Sequence, residues 1–313
     1  MAILLAIESW EPDAWLTRFR ALAGGREVRL APEIGDPADI RYACAWKAPA
    51  GLLATLPNLR AIFSLGAGVD HLFADPLLPD VPIVRIIDPD LTMRMTEYVV
   101  LHVLLHHRRF KEYDAQQRER VWRELGDPAA SEVRVGLLGL GVLGRAAAAA
   151  LKLLGFQLNG WSRKQRVVPG VTSFAGEAGL KPFLARTDVL VALLPLTEAT
   201  RGFINYELLR GLARDGPLGG PSLINAGRGG SQVEADILRA LDDGTLTCAS
   251  LDVFQTEPLP ADSPLWSHPK VFVTPHNAAQ SDPRALTRYV LAQIERFERG
   301  LPLENVVDRT VGY

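Results

Sequence analysis

Val133-Arg-Val-Gly-Leu-Leu-Gly139-Leu-Gly141-Val-Leu-Gly144-Arg145 is the stretch on which the fold turns. The apolar run from Val133 to Leu138 reads as a buried strand, and Arg145 to Leu154, rich in Ala and Leu, as the helix after it. The glycines between them divide the work. Gly139 lets the chain turn sharply, Gly141 lets the backbone approach a phosphate, and Gly144 lets the helix pack close to the strand. The N–H groups at the helix start, around Val142 and Leu143, then face the anion with the positive end of the helix dipole behind them. A strand, a glycine turn and a helix in that order point to dinucleotide binding.

The next strand, Leu158 to Trp161, runs into Ser162-Arg163-Lys164-Gln165-Arg166, and no Asp or Glu occurs between Gly155 and Gly176. An acidic side chain there would accept from the 2′-hydroxyl of NAD. A hydroxyl and three cations stand in its place, and they suit a 2′-phosphate: Arg offers a bidentate fork and Lys a point charge. The expected cofactor is therefore NADP(H), with Ser162, Arg163 and Lys164 at the phosphate and NAD(H) as a permitted alternative.

A chain of 313 residues has room for two domains, and 48% hydrophobic with 22% charged residues describes a globular protein with a substantial core. The formal charge of −2 gives no bias toward nucleic acid or an anionic membrane, and neither is expected as a partner. No apolar run approaches a bilayer span, since Lys152 interrupts the longest candidate. The start, Ala2 to Ile7 followed by Glu8, lacks a basic leader and reads as a first strand. Cys44 and Cys248 have no metal-type spacing and lie in apolar strand-like runs, which predicts buried free thiols and a cytoplasmic protein.

Short apolar runs at Ile3–Ile7, Val28–Ala31, Tyr42–Trp46, Ala61–Leu65 and Ile83–Ile86 alternate with helix-like stretches such as Asp13–Ala23 and Ala50–Leu56. A long amphipathic segment, Met95 to about Gln117, leads into a second alternation. Six strands are expected there, near Val133–Gly139, Gln157–Trp161, Val189–Pro195, Ser222–Ala226, Ala249–Phe254 and Val271–Thr274. The helical stretch Asp282 to Arg299 returns to the first domain. The predicted fold is α/β, two Rossmann-like doubly wound parallel-sheet domains with a cleft between them. Residues 1–98 with 283–313 form the substrate domain and residues 99–282 the dinucleotide-binding domain.

Ligands of an open parallel sheet sit beyond the carboxyl ends of its strands. The late strands end in a specific set of residues: Arg228 after Leu223-Ile-Asn225-Ala-Gly, Asp252 after Ala249-Ser-Leu251 with Glu257 soon after, and His276 after Val271-Phe-Val-Thr-Pro275. Hydride transfer to a ketone needs a proton for the oxygen, and His donates near neutral pH. Glu257 beside it would stabilise the imidazolium and fix the ring. Arg228 offers a planar fork for a carboxylate and a donor for the carbonyl. Taken singly, each of these residues reads as readily as a turn or loop residue; together they favour catalysis.

The chain resembles the D-isomer-specific 2-hydroxyacid dehydrogenase family along its whole length. Gly139-Leu-Gly-Val-Leu-Gly144, Leu223-Ile-Asn-Ala-Gly-Arg228-Gly, Leu251-Asp-Val-Phe-Gln-Thr-Glu257-Pro-Leu-Pro and Thr274-Pro-His276 carry the resemblance. Trp161-Ser-Arg-Lys, Pro169 to Gly176, Ser263-Pro-Leu-Trp266 and Leu65-Gly-Ala-Gly-Val-Asp70 tie it to members that reduce glyoxylate and hydroxypyruvate. The resemblance implies that His276 is the acid/base, Glu257 its partner and Arg228 the substrate anchor. It implies that Asp252 lies near the nicotinamide carboxamide, and that Leu194, Pro195, Ala226 and Gly227 line the cofactor site. It also places the N–H groups of Gly66, Ala67 and Gly68 at the substrate carboxylate, which fits the anion nest formed by successive amides in a glycine-rich turn. Trp46 and Lys47, ending a first-domain strand, are expected at the same site, Trp46 reading equally well as core. Trp122 falls in a segment that packs at a dimer interface in relatives, so a homodimer is expected. Two departures stand out: Gly227 replaces the usual Ala and is expected to loosen Arg228, and Gly229-Gly230-Ser231-Gln232 reads as polar and flexible.

Other signals are set aside. His102, His106 and His107 could place two rings on one helix face, but the surrounding Val, Leu and Arg-Arg suggest a helix ending in solvent and no metal is expected. The cluster Arg108-Arg109-Phe-Lys111 alternates with acids and reads as a solvated face. His71 reads as a turn residue capping backbone. Two alternatives stay open: the same chemistry on an aryl, branched or sugar-derived 2-keto acid, or a dinucleotide-gated binding protein of the corepressor type built on this architecture.

Overall fold

The computed structural model describes residues 1–8 and 10–313. In chain order its elements are β1 (Ala2–Ile7), α1 (Asp13–Leu22), β2 (Glu27–Leu30), β3 (Ile40–Trp46), β4 (Ala61–Ser64), α2 (Asp70–Phe73), β5 (Ile83–Val84), α3 (Pro89–His107) and α4 (Phe110–Glu119). Then come β6 (Arg134–Leu138), α5 (Val142–Leu153), β7 (Gln157–Ser162), β8 (Val171–Ala175), α6 (Gly176–Leu184), β9 (Val189–Ala192), α7 (Tyr206–Arg210), β10 (Ser222–Asn225), α8 (Glu234–Asp242), β11 (Cys248–Leu251), β12 (Val271–Val273) and α9 (Pro283–Glu298). The chain divides into two compact units, residues 1–91 with 280–313, and residues 92–279.

The first unit is a five-stranded parallel sheet of order β2-β1-β3-β4-β5, a doubly wound order whose switch point lies between β1 and β3. Alternate residues of β1 enter opposite faces: Ile3 and Leu5 join one core, Ala2, Leu4 and Ala6 the other. Burial on both sides is why such strands read as continuous apolar runs. α9 is started by Asp282, whose carboxylate accepts from Arg284 N–H, and lays Leu286, Val290, Leu291 and Ile294 into the first of these cores. The expected helix at Ala50–Leu56 is only a 3₁₀ turn, Leu53–Thr55.

The second unit is a seven-stranded parallel sheet of order β12-β11-β10-β9-β6-β7-β8. Its switch point lies between β6 and β9, beside the glycine turn. The strand missing from the expected six is β8, a short edge strand just after Pro169-Gly170. The segment expected as one helix from Met95 to Gln117 is two. α3 begins earlier, where Asp88 Oδ1 accepts the N–H groups of Asp90 and Leu91 and Pro89 takes the first helical position. It ends before Arg109, which adopts φ 51° and breaks the helix.

Candidate active site

The register of the second sheet decides where its loops emerge. Trp161 pairs with Leu138, Leu138 with Ala192, Ala192 with Asn225, Asn225 with Leu251 and Leu251 with Val273. These residues form one row across six strands. The segments carrying Ser162, Gly139, Leu194, Arg228, Asp252 and His276 all leave the sheet just beyond it.

The glycine turn has the geometry a pyrophosphate needs. Gly139 sits at φ 115°, a conformation side chains avoid, and its N–H donates to Trp161 O at 2.9 Å. A Cβ on Gly144 would lie 2.0 Å from Gly139 O, so the first turn of α5 packs on the turn only because that Cβ is missing. A Cβ on Gly141 would meet nothing within 4 Å; that side is open. Gly141 is the N-cap of α5, and no side chain caps the helix there, so the N–H groups of Val142 and Leu143 are presented at its start. Leu194 is buried against Gly139, and Pro195 O accepts Thr200 Oγ1 at 2.7 Å. At the end of β7, Arg163 and Lys164 are exposed, while Ser162 is buried with its hydroxyl donated to Lys164 O at 2.8 Å. That bond shapes the turn and points the Ser162 proton away from a would-be phosphate. The residues present thus fit a phosphate-bearing dinucleotide, with the cationic pair as its 2′ end.

His276 and Glu257 meet directly: Nδ1 lies 2.8 Å from Oε2, and Oε1 accepts Phe254 N–H at 3.1 Å. A carboxylate on Nδ1 makes that nitrogen the N–H side of the ring and leaves Nε2 to exchange a proton. Both side chains are partly exposed, 34% for His276 and 23% for Glu257. His276 adopts φ 51°, which costs about 1 kcal/mol or more for a residue with a side chain and persists only when the surroundings enforce it.

Asp252 does the enforcing. It is buried, with Oδ1 accepting Thr274 Oγ1 at 2.7 Å and Asn277 N–H at 2.9 Å, and Oδ2 accepting Ala278 N–H at 3.0 Å. Its carbonyl accepts His276 N–H at 2.8 Å. The carboxylate expected at the nicotinamide is in this structure bound to the loop that carries His276.

The Arg228 loop corrects two expectations. Gly227 does not loosen it: a Cβ there would fall 2.9 Å from Leu194 O and 3.1 Å from Leu194 N, so the approach of the backbone after β9 requires glycine. Gly227 N–H donates to Asn225 Oδ1 at 3.0 Å, and Arg228 Nη1 to Gly227 O at 2.9 Å. Nor are residues 229–232 a loose polar stretch. Gly229–Ser231 form a 3₁₀ turn, Ser231 Oγ donates to Arg228 O at 2.6 Å, and buried Gln232 bridges Asn225 Nδ2 (2.8 Å) and Val253 O (2.9 Å). The polar side chains that suggested flexibility are the ones that lock the loop.

In the first unit, the Gly66–Gly68 turn is fastened from within by Ser64, whose Oγ contacts Gly66 O at 3.0 Å and Gly68 O at 2.8 Å. Gly66 N–H reaches Ser64 Oγ at 3.3 Å, so it is partly committed; among the described residues Ala67 N–H and Gly68 N–H meet no acceptor. Trp46 is buried under this turn, close enough that a Cβ on Gly66 would strike its ring, and Trp10 stacks on it at 4.5 Å. Trp46 is thereby a support for the turn. Lys47 is exposed at φ 49°, and its N–H donates to His71 Nδ1 at 3.2 Å, the backbone-capping role expected of His71.

The α3 histidines do not end in solvent. His102, His106 and His107 are all buried. His102 Nδ1 and His106 Nε2 share Ser250 Oγ at 2.7 and 2.9 Å, which the sequence spacing could not reveal because Ser250 lies on β11. Burial lowers His102 to about 4; burial first, then His102 and Lys111, lowers His106 to about 3. Among the described residues no group of three potential metal ligands occurs, and no helix is long and apolar enough to cross a membrane. Both cysteines are buried and unpaired, as expected.

The family model of the D-isomer specific 2-hydroxyacid dehydrogenase NAD binding domain matches residues 100–278. Glyoxylate/hydroxypyruvate reductase A of Escherichia fergusonii is 44% identical over the full length of both chains. Among solved structures, an NADPH-dependent glyoxylate/hydroxypyruvate reductase from Sinorhizobium meliloti in complex with NADP and sulfate superposes with a TM-score of 0.95 at 49% identity, covering 100% of each chain. A probable 2-hydroxyacid dehydrogenase from Rhizobium etli in complex with NADP, HEPES and L(+)-tartaric acid gives 0.94 at 48% identity, covering 100% of this chain and 99% of that one. Motifs, double sheet and full-length relatives agree: the chain belongs to the D-isomer specific 2-hydroxyacid dehydrogenase family.

Proposed function

We propose that this protein is an NADPH-dependent reductase of small 2-keto acids, converting glyoxylate to glycolate and hydroxypyruvate to D-glycerate. The observation that carries the reading is the His276–Glu257 pair, emerging from the same row of strand ends as the glycine turn. Relatives named for those two substrates support the substrate class. Neighbours holding NADP or NADPH support the cofactor, as does the cationic turn at Arg163 and Lys164; NAD(H) is the weaker alternative.

The turn of Gly139, Gly141, Val142, Leu143 and Gly144 would hold the pyrophosphate of the reduced dinucleotide, which when bound would supply hydride for the keto carbon. His276 donates a proton from Nε2 to the keto oxygen, and Glu257 holds Nδ1 and balances the imidazolium's charge before transfer. Arg228 pairs the substrate carboxylate and polarises the carbonyl. The amides of Ala67 and Gly68, which meet no acceptor among the described residues, form with the half-committed Gly66 a neutral nest suited to a carboxylate. Leu194, Pro195, Ala226 and Gly227 wall the cofactor. The unit of residues 1–91 and 280–313 serves the substrate, and that of residues 92–279 the dinucleotide, with boundaries a few residues from the expected 1–98 with 283–313 and 99–282.

A homodimer belongs to the same proposal. Trp122 is fully exposed at 100%, and Val121 beside it at 43%. An apolar surface of that kind favours a protein partner, and a second copy is the partner proposed.

Loss of NADPH absorbance with a panel of 2-keto acids tests the function. Turnover is expected with glyoxylate and hydroxypyruvate ahead of aryl and branched acids. Tight NADPH binding with no turnover on any of them would overturn it in favour of a binding protein.

A further inference from the structure

α3 turns one polar edge toward β11 and β12. Tyr98, His102 and His106 recur every four residues, on one helix face. The Tyr98 ring packs against His102 with centroids 4.1 Å apart and planes tilted by 32°, and both imidazoles stand edge-on to Phe272 of β12, at 5.9 and 6.0 Å. Lys111 Nζ covers the Phe272 ring at 4.3 Å. The two imidazoles end on Ser250, and the Tyr98 hydroxyl ends 2.8 Å from Thr274 Oγ1.

Proton counting gives the direction of that last bond. Thr274 Oγ1 has a single proton and gives it to Asp252 Oδ1 at 2.7 Å. Its remaining capacity is as an acceptor, so Tyr98 must be the donor. Burial pushes the Tyr98 phenol up, so it keeps its proton at any working pH. The chain runs Tyr98 to Thr274 to Asp252. Asp252 then takes Asn277 N–H, Ala278 N–H and, through its carbonyl, His276 N–H. These bonds bracket the one residue of that loop with positive φ, His276.

We propose that Tyr98 is a positioning residue for the reaction: its hydroxyl orients Thr274, which anchors Asp252 and so holds the loop that aims the His276 ring. Nothing in the sequence marks Tyr98, since it lies on a helix far from the catalytic motifs. The proposal rests on the assignment of His276 as proton donor. Without the Tyr98 hydroxyl, Thr274 can turn its proton elsewhere, Asp252 loses a fixed donor, and the strained backbone of His276 samples other conformations. Proton delivery suffers, while the glycine turn, which shares none of these bonds, keeps its affinity.

The test is Tyr98→Phe, which retains the ring on His102 and removes the oxygen alone. With glyoxylate, kcat should fall about fivefold or more, with the Kd of NADPH measured by fluorescence titration unchanged within about twofold. Thr274→Val should show the same loss, Thr274→Ser should restore most of it, and Tyr98→Phe with Thr274→Val should be no worse than Thr274→Val alone. In a His276→Ala background Tyr98→Phe should have no further effect. Unchanged kcat in Tyr98→Phe, additive losses in the double variant, or a parallel loss of NADPH affinity would each overturn the proposal. Failure of the underlying reading looks different: His276→Ala itself would turn over normally.

Discussion

Glu257 Oε2 stands 2.8 Å from His276 Nδ1 while its other oxygen takes Phe254 N–H, so the carboxylate is fixed at both ends. Glu257→Gln keeps the acceptor for Phe254 but turns an amide toward Nδ1, which reverses the ring's tautomer and removes the charge opposite the imidazolium. We expect kcat to fall on the order of a hundredfold, with NADPH affinity retained, as read by steady-state kinetics beside a cofactor titration. Wild-type kcat would contradict the pairing's role.

The two glycines flanking the start of α5 should separate stability from binding. Gly144→Ala drives a Cβ to 2.0 Å from Gly139 O, and should cost about 1–3 kcal/mol of unfolding free energy. Gly141→Ala meets no atom within 4 Å at φ −72° and ψ −162°, and should change stability by no more than about 0.5 kcal/mol. Its methyl instead fills the space left for a phosphate, so NADPH affinity should drop by about tenfold or more. Thermal melts and cofactor titration on the two variants check both halves.

Cofactor choice should depend on the turn after β7. Arg163→Ala with Lys164→Ala should lower kcat/KM for NADPH by about a hundredfold or more, the scale of two lost charge-assisted contacts, and leave NADH use nearly unchanged. The ratio of the two kcat/KM values is the measurement; an unchanged ratio would move the 2′-phosphate site elsewhere.

The buried histidines predict acid lability. His102 at about 4 and His106 at about 3 lie below their ordinary 6.5, so between those values the unfolded chain binds protons that the folded chain refuses. Their contribution is fully present above pH 6.5 and is lost as pH falls toward 4 and then 3. At pH 5 the loss is about 2 kcal/mol per histidine, so the urea midpoint should drop clearly between pH 7 and pH 5. A flat midpoint over that range would contradict their burial as neutral rings.

Much of the site was legible because its chemistry is local. The glycine turn is a backbone geometry written in consecutive residues. Arg228, Glu257 and His276 announce themselves by their places after strands, and parallel strands in register deliver their loops to one edge. What stayed hidden depends on contacts distant in sequence. Gly227 read as a loosening substitution until the backbone of Leu194 was beside it, and Gln232 as a flexible polar residue until Asn225 and Val253 were. His102 and His106 looked solvated because Ser250, which receives them, lies far along the chain. β8 was missed as a short edge strand, and the break after α3 because an Arg at positive φ carries no local signal.

The most direct measurement of the central claim is NADPH consumption with glyoxylate by His276→Ala and wild type, at matched cofactor occupancy. Loss of turnover by about a hundredfold or more, with NADPH binding intact, is the predicted result. Equal turnover by the two proteins would remove His276 as the proton donor and with it the reductase mechanism described for this chain.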